Sequence, residues 1–215
     1  MTAGTRTAPS RQARKHQTRQ ALLQAALHQL ETRPFATLSL REITREVGIT
    51  PNAFYRHFAH LDDLGLVLVT ESFGTLRQMI RAIRTAPTPY PHSDVIRGSM
   101  QILARHVREH RAHFRFIARE RSGGPDRIRQ AIEWEIQLFI RELAMDLARF
   151  PYVETWSAED VQMIAALIVN VMILTVGALL NTPPDRPEAE QQVLRIAEKQ
   201  LRLVTLGSPH WRSQP

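Results

Sequence analysis

Asn52, Tyr55, Arg56 and His57 fall within six residues of one another. Between them they carry hydrogen-bond donors and acceptors of the kind that read base edges and phosphates. Phe54 and Phe58 are spaced four apart in the same segment, so they share one side of a helix and are expected to face inward. A short helix with an aromatic inner side and an outer side of Asn, Tyr, Arg and His suits the floor of a DNA major groove. The implied chemistry is recognition by hydrogen bonding, not bond making.

The flanking residues predict how that helix is held. Ser39 is a favourable N-cap, and Glu42, three residues on, completes a capping box. Leu40, Ile43 and Val47 then recur at helical spacing, leaving Arg41, Glu42, Arg45 and Glu46 for solvent or a partner. Gly48 stands where a left-handed C-terminal residue is wanted, and Ile49 fits the space between two helices. Thr50 caps the second helix with Pro51 at its first position, where the missing N–H costs nothing. Leu38 to Phe58 therefore reads as a helix-turn-helix.

Charge points the same way. The chain of 215 residues carries a formal +7, with 28 Lys+Arg against 21 Asp+Glu. Nine of the basic residues and only three of the acids lie before Asp62, so this segment holds +6 of the total. Such asymmetry around a helical motif is the footprint of a polyanion ligand. Cysteine is absent, which removes disulfides, thiolate metal sites and thiol nucleophiles. The first residues, MTAGTRTAPSRQARKHQ, have no apolar stretch of the secretory type, so a cytoplasmic protein is expected.

Other groups capable of chemistry are fewer. His106, His110 and His113 have a spacing that could chelate a metal, but no acidic residue is evident to orient them, and no metal is expected. Glu133 and Glu135 are two apart on a helix and face different ways. The chain has no nucleophile elbow, HExxH motif or phosphate loop, and no catalytic residue is assigned. Met163 to Leu180 is an uncharged run of 18 residues, long enough to span a membrane. Glu159 and Asp160 precede it and no positive flank follows, which favours a buried or interfacial helix over a membrane-associated one.

The remainder reads as all-α. Helices are expected over Arg11 to Glu31, with Leu22, Leu23, Ala26, Leu27 and Leu30 inward, and over Asp62 to Arg84, with Leu64, Leu68, Phe73, Leu76, Met79, Ile80 and Ile83 inward. Further helices are expected from Ser93 to His110, Ala112 to Arg121, Pro125 to Phe150 and Ala158 to Leu180, with Ser157 as a cap. A last one follows Pro183-Pro184 to about Thr205. Ala86 to Pro91 is a proline-rich loop.

A first helix, a capped turn motif ending FYRHF and six further helices resemble the TetR/AcrR family of transcriptional regulators. Tyr55, His57, Phe58, Asp62 and Leu64 fit the end of that family's motif, but Leu61 stands where a phosphate-touching Lys is usual. SLREITREVGITPNAFYRHF with LDDLGL, and RERSG at Arg119 to Gly123 before EIQLFIREL at Glu135 to Leu143, are similar to the FabR/DesT-type regulators of unsaturated fatty acid synthesis, which also lack that Lys. The resemblance implies a mobile basic arm over residues 1–14 and a DNA-binding domain over 15–75. It implies an effector-binding and dimerisation domain over 76–208 and a tail over 209–215.

By the same resemblance, Arg41 would contact a base, and Ser39 and Thr50 would bond phosphates, with Pro51 at the helix start. Asn52, Ala53 and Tyr55 would face base edges, while Arg56 and His57 hold the backbone or an edge. Ser39 and Thr50 are caps with or without DNA, and Tyr55 and His57 could instead pack on the following helix. The partners implied are a palindromic double-stranded operator, a second copy of the chain and a small-molecule effector. The two copies would join through the last two helices, placing recognition helices about 34 Å apart or a multiple of it. An effector chamber would be lined by Phe73, Leu76, Met100, Leu103, Phe116, Arg119, Trp134, Leu138 and Met172. Acyl-CoA or a similar acyl thioester would be the regulatory ligand, with Arg111, Arg115 and Arg119 meeting its phosphates or merely solvated. Arg119-Glu120-Arg121 could alternatively form an internal ion-pair group relaying effector state. A repressor of efflux or catabolic genes responding to a non-lipid molecule is the alternative within this fold.

Overall fold

The computed structural model describes residues 10–85, 92–151, 153–183 and 185–213, without the side chains of 81–94. Of the arm expected over residues 1–14, positions 11–14 are already helix; its residues before Ser10, the proline-rich loop Ala86 to Pro91 and the inward placement of Ile83 lie outside the described residues. Among the described residues the chain forms nine α-helices and two short 3₁₀ turns, with no strand. In order they are α1 (Arg11–Leu30), a 3₁₀ turn (Phe35–Thr37), α2 (Leu40–Val47), α3 (Pro51–Phe54), α4 (Leu61–Thr85), α5 (His92–Glu109), α6 (Arg111–Gly123), α7 (Asp126–Leu147), α8 (Ala158–Asn181) and α9 (Pro187–Gly207). A second 3₁₀ turn (Ser208–His210) closes the chain.

The first helix forms as its leucine spacing predicts. Ser10 caps it, its hydroxyl accepting from the N–H of Ala13 at 3.2 Å. Leu22, Leu23, Ala26, Leu27 and Leu30 are buried. They join Phe35, Ile43, Phe54, Phe58, Leu64 and Leu68 in a core that continues without a break to Ile128, Ile132 and Val169 of the C-terminal helices. The boundary expected at residues 75 and 76 falls inside α4, one continuous helix from the turn motif to Thr85. At Gly65 α4 lies close against Phe35 and against Ile128 of α7. A Cβ there would sit 2.6 Å from the side-chain ends of Phe35 and Ile128, so a larger residue would force both to shift. A second core, around Met79, Met100, Leu103, Val107, Phe114, Leu179 and Leu201, holds α5 and α9 against α4 and α8.

Three local expectations are corrected. Ser39 stands at the N-cap of α2 but makes no side-chain capping bond. Its presumed reciprocal partner Glu42 is instead drawn to Arg33, 2.7 Å away. The helix expected from Asp62 starts one residue earlier, at Leu61, and Asp63 ties its start, accepting from the N–H of His60 at 3.0 Å. α7 ends at Leu147, three residues before the expected Phe150, because the approach to Pro151 disfavours helical backbone. Ser157 caps α8 as expected, accepting from the N–H of Asp160 at 3.2 Å. The residues after α9 fold back onto this helix start. Ser213 accepts from the N–H of Ser157 at 2.7 Å and donates to the Asp160 carboxylate, whose pKa this bond lowers.

α8 is long and apolar enough to cross a membrane. It packs, however, between α7 and α9, with Ile164, Ala165, Val169 and Leu179 buried and Met163, Leu167 and Leu174 exposed.

Candidate nucleic-acid interface and ligand cavity

The turn between α2 and α3 follows from two residues. Gly48 adopts φ +74°, the one positive φ among the described residues, and lets the N–H of Ile49 reach the carbonyl of Thr44 at 2.9 Å. Thr50 then caps α3, its hydroxyl accepting from Ala53 at 3.3 Å with Pro51 at the first position. The helix itself is a single turn. Tyr55, Arg56 and His57 continue it as a looser turn rather than the longer helix the spacing suggests.

Aromatic packing orients this segment. Phe54 is fully buried, with Phe58 at 5.5 Å and Tyr55 edge-on at 5.7 Å between ring centroids. Asn52, Tyr55 and Arg56 are thereby left on the outer surface, Tyr55 at 58% exposure. Arg41, Thr50 and Pro51 are exposed on the same two helices, while Ser39, Ala53 and His57 are partly covered. The acids are turned away. Glu46 is held by His28 at 3.1 Å and Gln29 at 3.0 Å, both on α1, and the Gln29 bond leads in lowering its pKa. With Glu42 paired to Arg33, Arg41 and Arg45 remain to define the charge of the outer face.

Arg19 is a positioning residue that spacing did not disclose. Its guanidinium lies 4.2 Å above the Phe58 ring and donates to the His57 carbonyl at 2.8 Å, so α1 clamps the end of the α3 segment. Arg11, Arg14 and Lys15 of α1 line a cleft with Arg56 and His57. The pKa of His57 is lowered below the usual imidazole range, first by burial and then by Lys15, Arg19 and Arg56. Leu61, in the position where the family's Lys is usual, packs on the core. Arg41→Ala is expected to weaken binding to a preferred duplex by about 1–3 kcal/mol and to relax base preference. Fluorescence anisotropy on matched and scrambled duplexes measures this, and equal loss on both would reassign Arg41 to the phosphates.

An apolar cavity of about 90 Å³ lies among α4, α5, α6, α7 and α8. Of the residues expected to line a chamber, Phe73, Leu76, Leu103 and Met172 do so, joined by Phe114, Ile117, Ile136, Phe139 and Val176. The others do not. Met100 belongs to the second core. Phe116 turns toward Phe35, with ring centroids 6.4 Å apart. Trp134 is 66% exposed on the outside of α7, and Leu138 is half-buried outside the lining. Arg121, not Arg119, is the one charged residue of the lining.

The arginine row of α6 serves helix ends. Arg115 and Arg119 donate to the carbonyls of Glu31 and Leu30, at 3.1 and 3.2 Å, and Arg111 to the carbonyl of Leu180 at 2.6 Å. Carbonyls at a helix C-terminus have no partner within the helix, so guanidinium groups fit there by charge and by hydrogen bonding. The ion-pair group expected at Arg119-Glu120-Arg121 is not formed. Glu120 is buried and accepts from the backbone N–H of Phe35 at 3.0 Å.

His113 is structural. The Ser72 hydroxyl donates to the Leu68 carbonyl at 2.7 Å, so the His113 Nδ1, 2.9 Å away, must donate to Ser72. Burial, then His110, lowers the pKa of His113 below the ordinary 6.5. Because the unfolded chain then binds the proton more readily, stability is expected to be full above about pH 6.5 and to fall as pH drops below it. Thermal melts between pH 8 and 5 test this, and His113→Gln should flatten the decline.

Comparison with known proteins places this architecture. Residues 22–64 match the family model "Bacterial regulatory proteins, tetR family", and residues 92–205 match "Tetracyclin repressor-like, C-terminal domain". A TetR-family transcriptional regulator from Streptomyces coelicolor superposes with a TM-score of 0.67 at 20% identity, covering 88% of this chain and 97% of that one. A transcriptional regulator from Pseudomonas aeruginosa gives 0.66 at 19% identity, with 97% of each chain covered. A protein from Syntrophomonas wolfei assigned to the same family gives 0.68 at 13% identity, covering 88% and 96%. At these identities the structures establish the fold, and the two family models span most of the sequence: the chain belongs to the TetR family of DNA-binding transcriptional regulators.

Proposed function

We propose that this chain is a homodimeric, effector-responsive repressor of fatty acid synthesis or desaturation genes, acting in the cytoplasm and sensing an acyl thioester such as acyl-CoA or acyl-carrier protein. The observation that carries the ligand class is the cavity, lined by aliphatic and aromatic side chains with the single guanidinium of Arg121. An acyl chain matches the apolar wall, and a polar or anionic head matches the arginine. The sequence likeness to regulators of unsaturated fatty acid synthesis adds to this. At about 90 Å³ the cavity holds only a few methylenes, so a longer chain must part the lining. A kinked chain and a straight one would part it differently.

α6 is the element suited to transmit that change. It gives Phe114, Ile117 and Arg121 to the cavity, and from the same helix Arg115, Arg119 and Glu120 bond the end of α1 and the turn that follows it. A shift of α6 on ligand entry would move the clamp that orients α2 and α3. On the DNA side, Arg41, Asn52, Ala53 and Tyr55 are assigned to base edges. Ser39, Thr50, Pro51, Arg56 and His57 are assigned to phosphates, with the Arg11, Arg14 and Lys15 cleft supplying the anchor that Leu61 cannot. Dimerisation is assigned to the exposed apolar sides of α8 and α9.

The experiment is a titration of palindromic duplex from a fatty acid or desaturase promoter with saturated and unsaturated acyl-CoA in turn. Opposite or unequal shifts in affinity are expected. No change with either would end the lipid reading while leaving DNA binding intact. The small cavity volume favours a second reading, a compact non-lipid effector controlling efflux or catabolic genes. A co-purifying non-acyl ligand, identified by mass spectrometry, would select it.

A further inference from the structure

We propose that His106, Glu109 and His110 form a binding site for one divalent transition-metal ion of the zinc class. One ligand atom from each of these residues lies within 4.8 Å of the other two. Bonds of about 2.0 Å to a tetrahedral ion would need donors roughly 3.3 Å apart, so modest side-chain rotations close the set. The spacing i, i+3, i+4 brings His106 and Glu109 of the last turn of α5 beside His110 just after it, where the two imidazole rings already lie 4.4 Å apart between centroids.

The arrangement around the three residues is what a metal site requires. The Nε2 of His106 donates to the carbonyl of Thr75 at 2.7 Å. That bond fixes the ring and its tautomer, and leaves Nδ1 as a free lone pair; outer partners of this type orient metal-binding histidines generally. His110 stands at the bend between α5 and α6, with φ −121° and ψ 34°, and its side chain makes no capping bond, so it is free to ligate. Glu109 is exposed and supplies a carboxylate. His113, which spacing alone groups with the other two histidines, is committed to Ser72; Glu109 takes its place. Two imidazoles and one carboxylate select zinc, cobalt or nickel over magnesium or calcium, which favour all-oxygen sites. Water or an exogenous ligand would complete the shell.

Such an ion would join the last turn of α5 to the first residue before α6, and through His106 would stiffen both against α4. The site meets the cavity lining at Phe114, whose ring lies 5.9 Å from that of His106 between centroids, but metal binding is measured with no effector present, so its test is separate from that reading. Isothermal titration of metal-stripped full-length protein with Zn²⁺, and separately with Co²⁺ read by its visible absorption, is expected to give one ion per chain and a raised melting temperature. Mg²⁺ at equal concentration should do neither. Glu109→Gln and His110→Gln, both at accessible positions, are each expected to weaken binding tenfold or more, while His28→Gln leaves it unchanged. Circular dichroism checks that both variants fold. Failure of Zn²⁺ to bind, or binding untouched by the Glu109 and His110 substitutions, would overturn the proposal.

Discussion

Phe54→Ala should cost about 3–5 kcal/mol, the usual range for removing a wholly buried aromatic ring, and with it most DNA binding. The ring is fully enclosed, and it supports Phe58 and the edge of Tyr55. Since α3 is only one turn long, it has no helical stability of its own. Its geometry comes from that packing and from the Arg19 clamp on Phe58 and His57. Losing the ring therefore removes both stability and the alignment of Asn52, Tyr55 and Arg56. Chemical denaturation measures the first effect and anisotropy on duplex DNA the second. A variant that loses stability yet keeps full affinity would show that these side chains do not contact DNA.

The second large effect is expected on α8 and α9. Leu174 and Leu203 are 70% and 74% exposed, and Met163, Leu167 and Leu206 are exposed with them. An apolar area of this kind on two neighbouring helices is the surface the proposed dimer would bury. Replacing both Leu174 and Leu203 by Glu would place charges opposite their symmetry mates across a two-fold axis. Sedimentation velocity should show monomers. Operator affinity should fall by about a hundredfold or more, because two half-sites no longer bind as one unit. Both residues are already in water in the single chain, so the monomer's own fold should melt unchanged. A double variant that stays dimeric would move the interface elsewhere.

Local chemistry accounts for how much of this was legible in the sequence. Gly48, Thr50 and Pro51 act through their own backbone and one neighbouring N–H, so type and position suffice to place them. The leucine stripe of α1 is equally local. Contacts across the chain were not legible. Glu42 looked like a capping-box partner until Arg33, brought near by the turn after α1, offered it a stronger charge. The four-residue spacing of Arg111, Arg115 and Arg119 showed one helix face but not that helix ends would meet it. Glu120 pairs with a backbone N–H 85 residues away, which no pattern announces. Trp134 is large and apolar, but size does not decide which side of α7 faces inward. Arg77 likewise reaches across to Glu135 at 2.6 Å, joining α4 to α7 through a pair that neither residue's neighbours suggested.

The basic turn motif, presented twice by the proposed two-fold dimer, is expected to read DNA. The most direct test is enrichment of a random double-stranded pool on the purified full-length protein, followed by sequencing of the bound duplexes. A palindrome is predicted, with two half-sites centred about 10 base pairs or a multiple apart, and Arg41→Ala should blur one position in each half. Recovery of duplexes with no shared sequence, or of a single asymmetric site bound by one chain, would contradict the account.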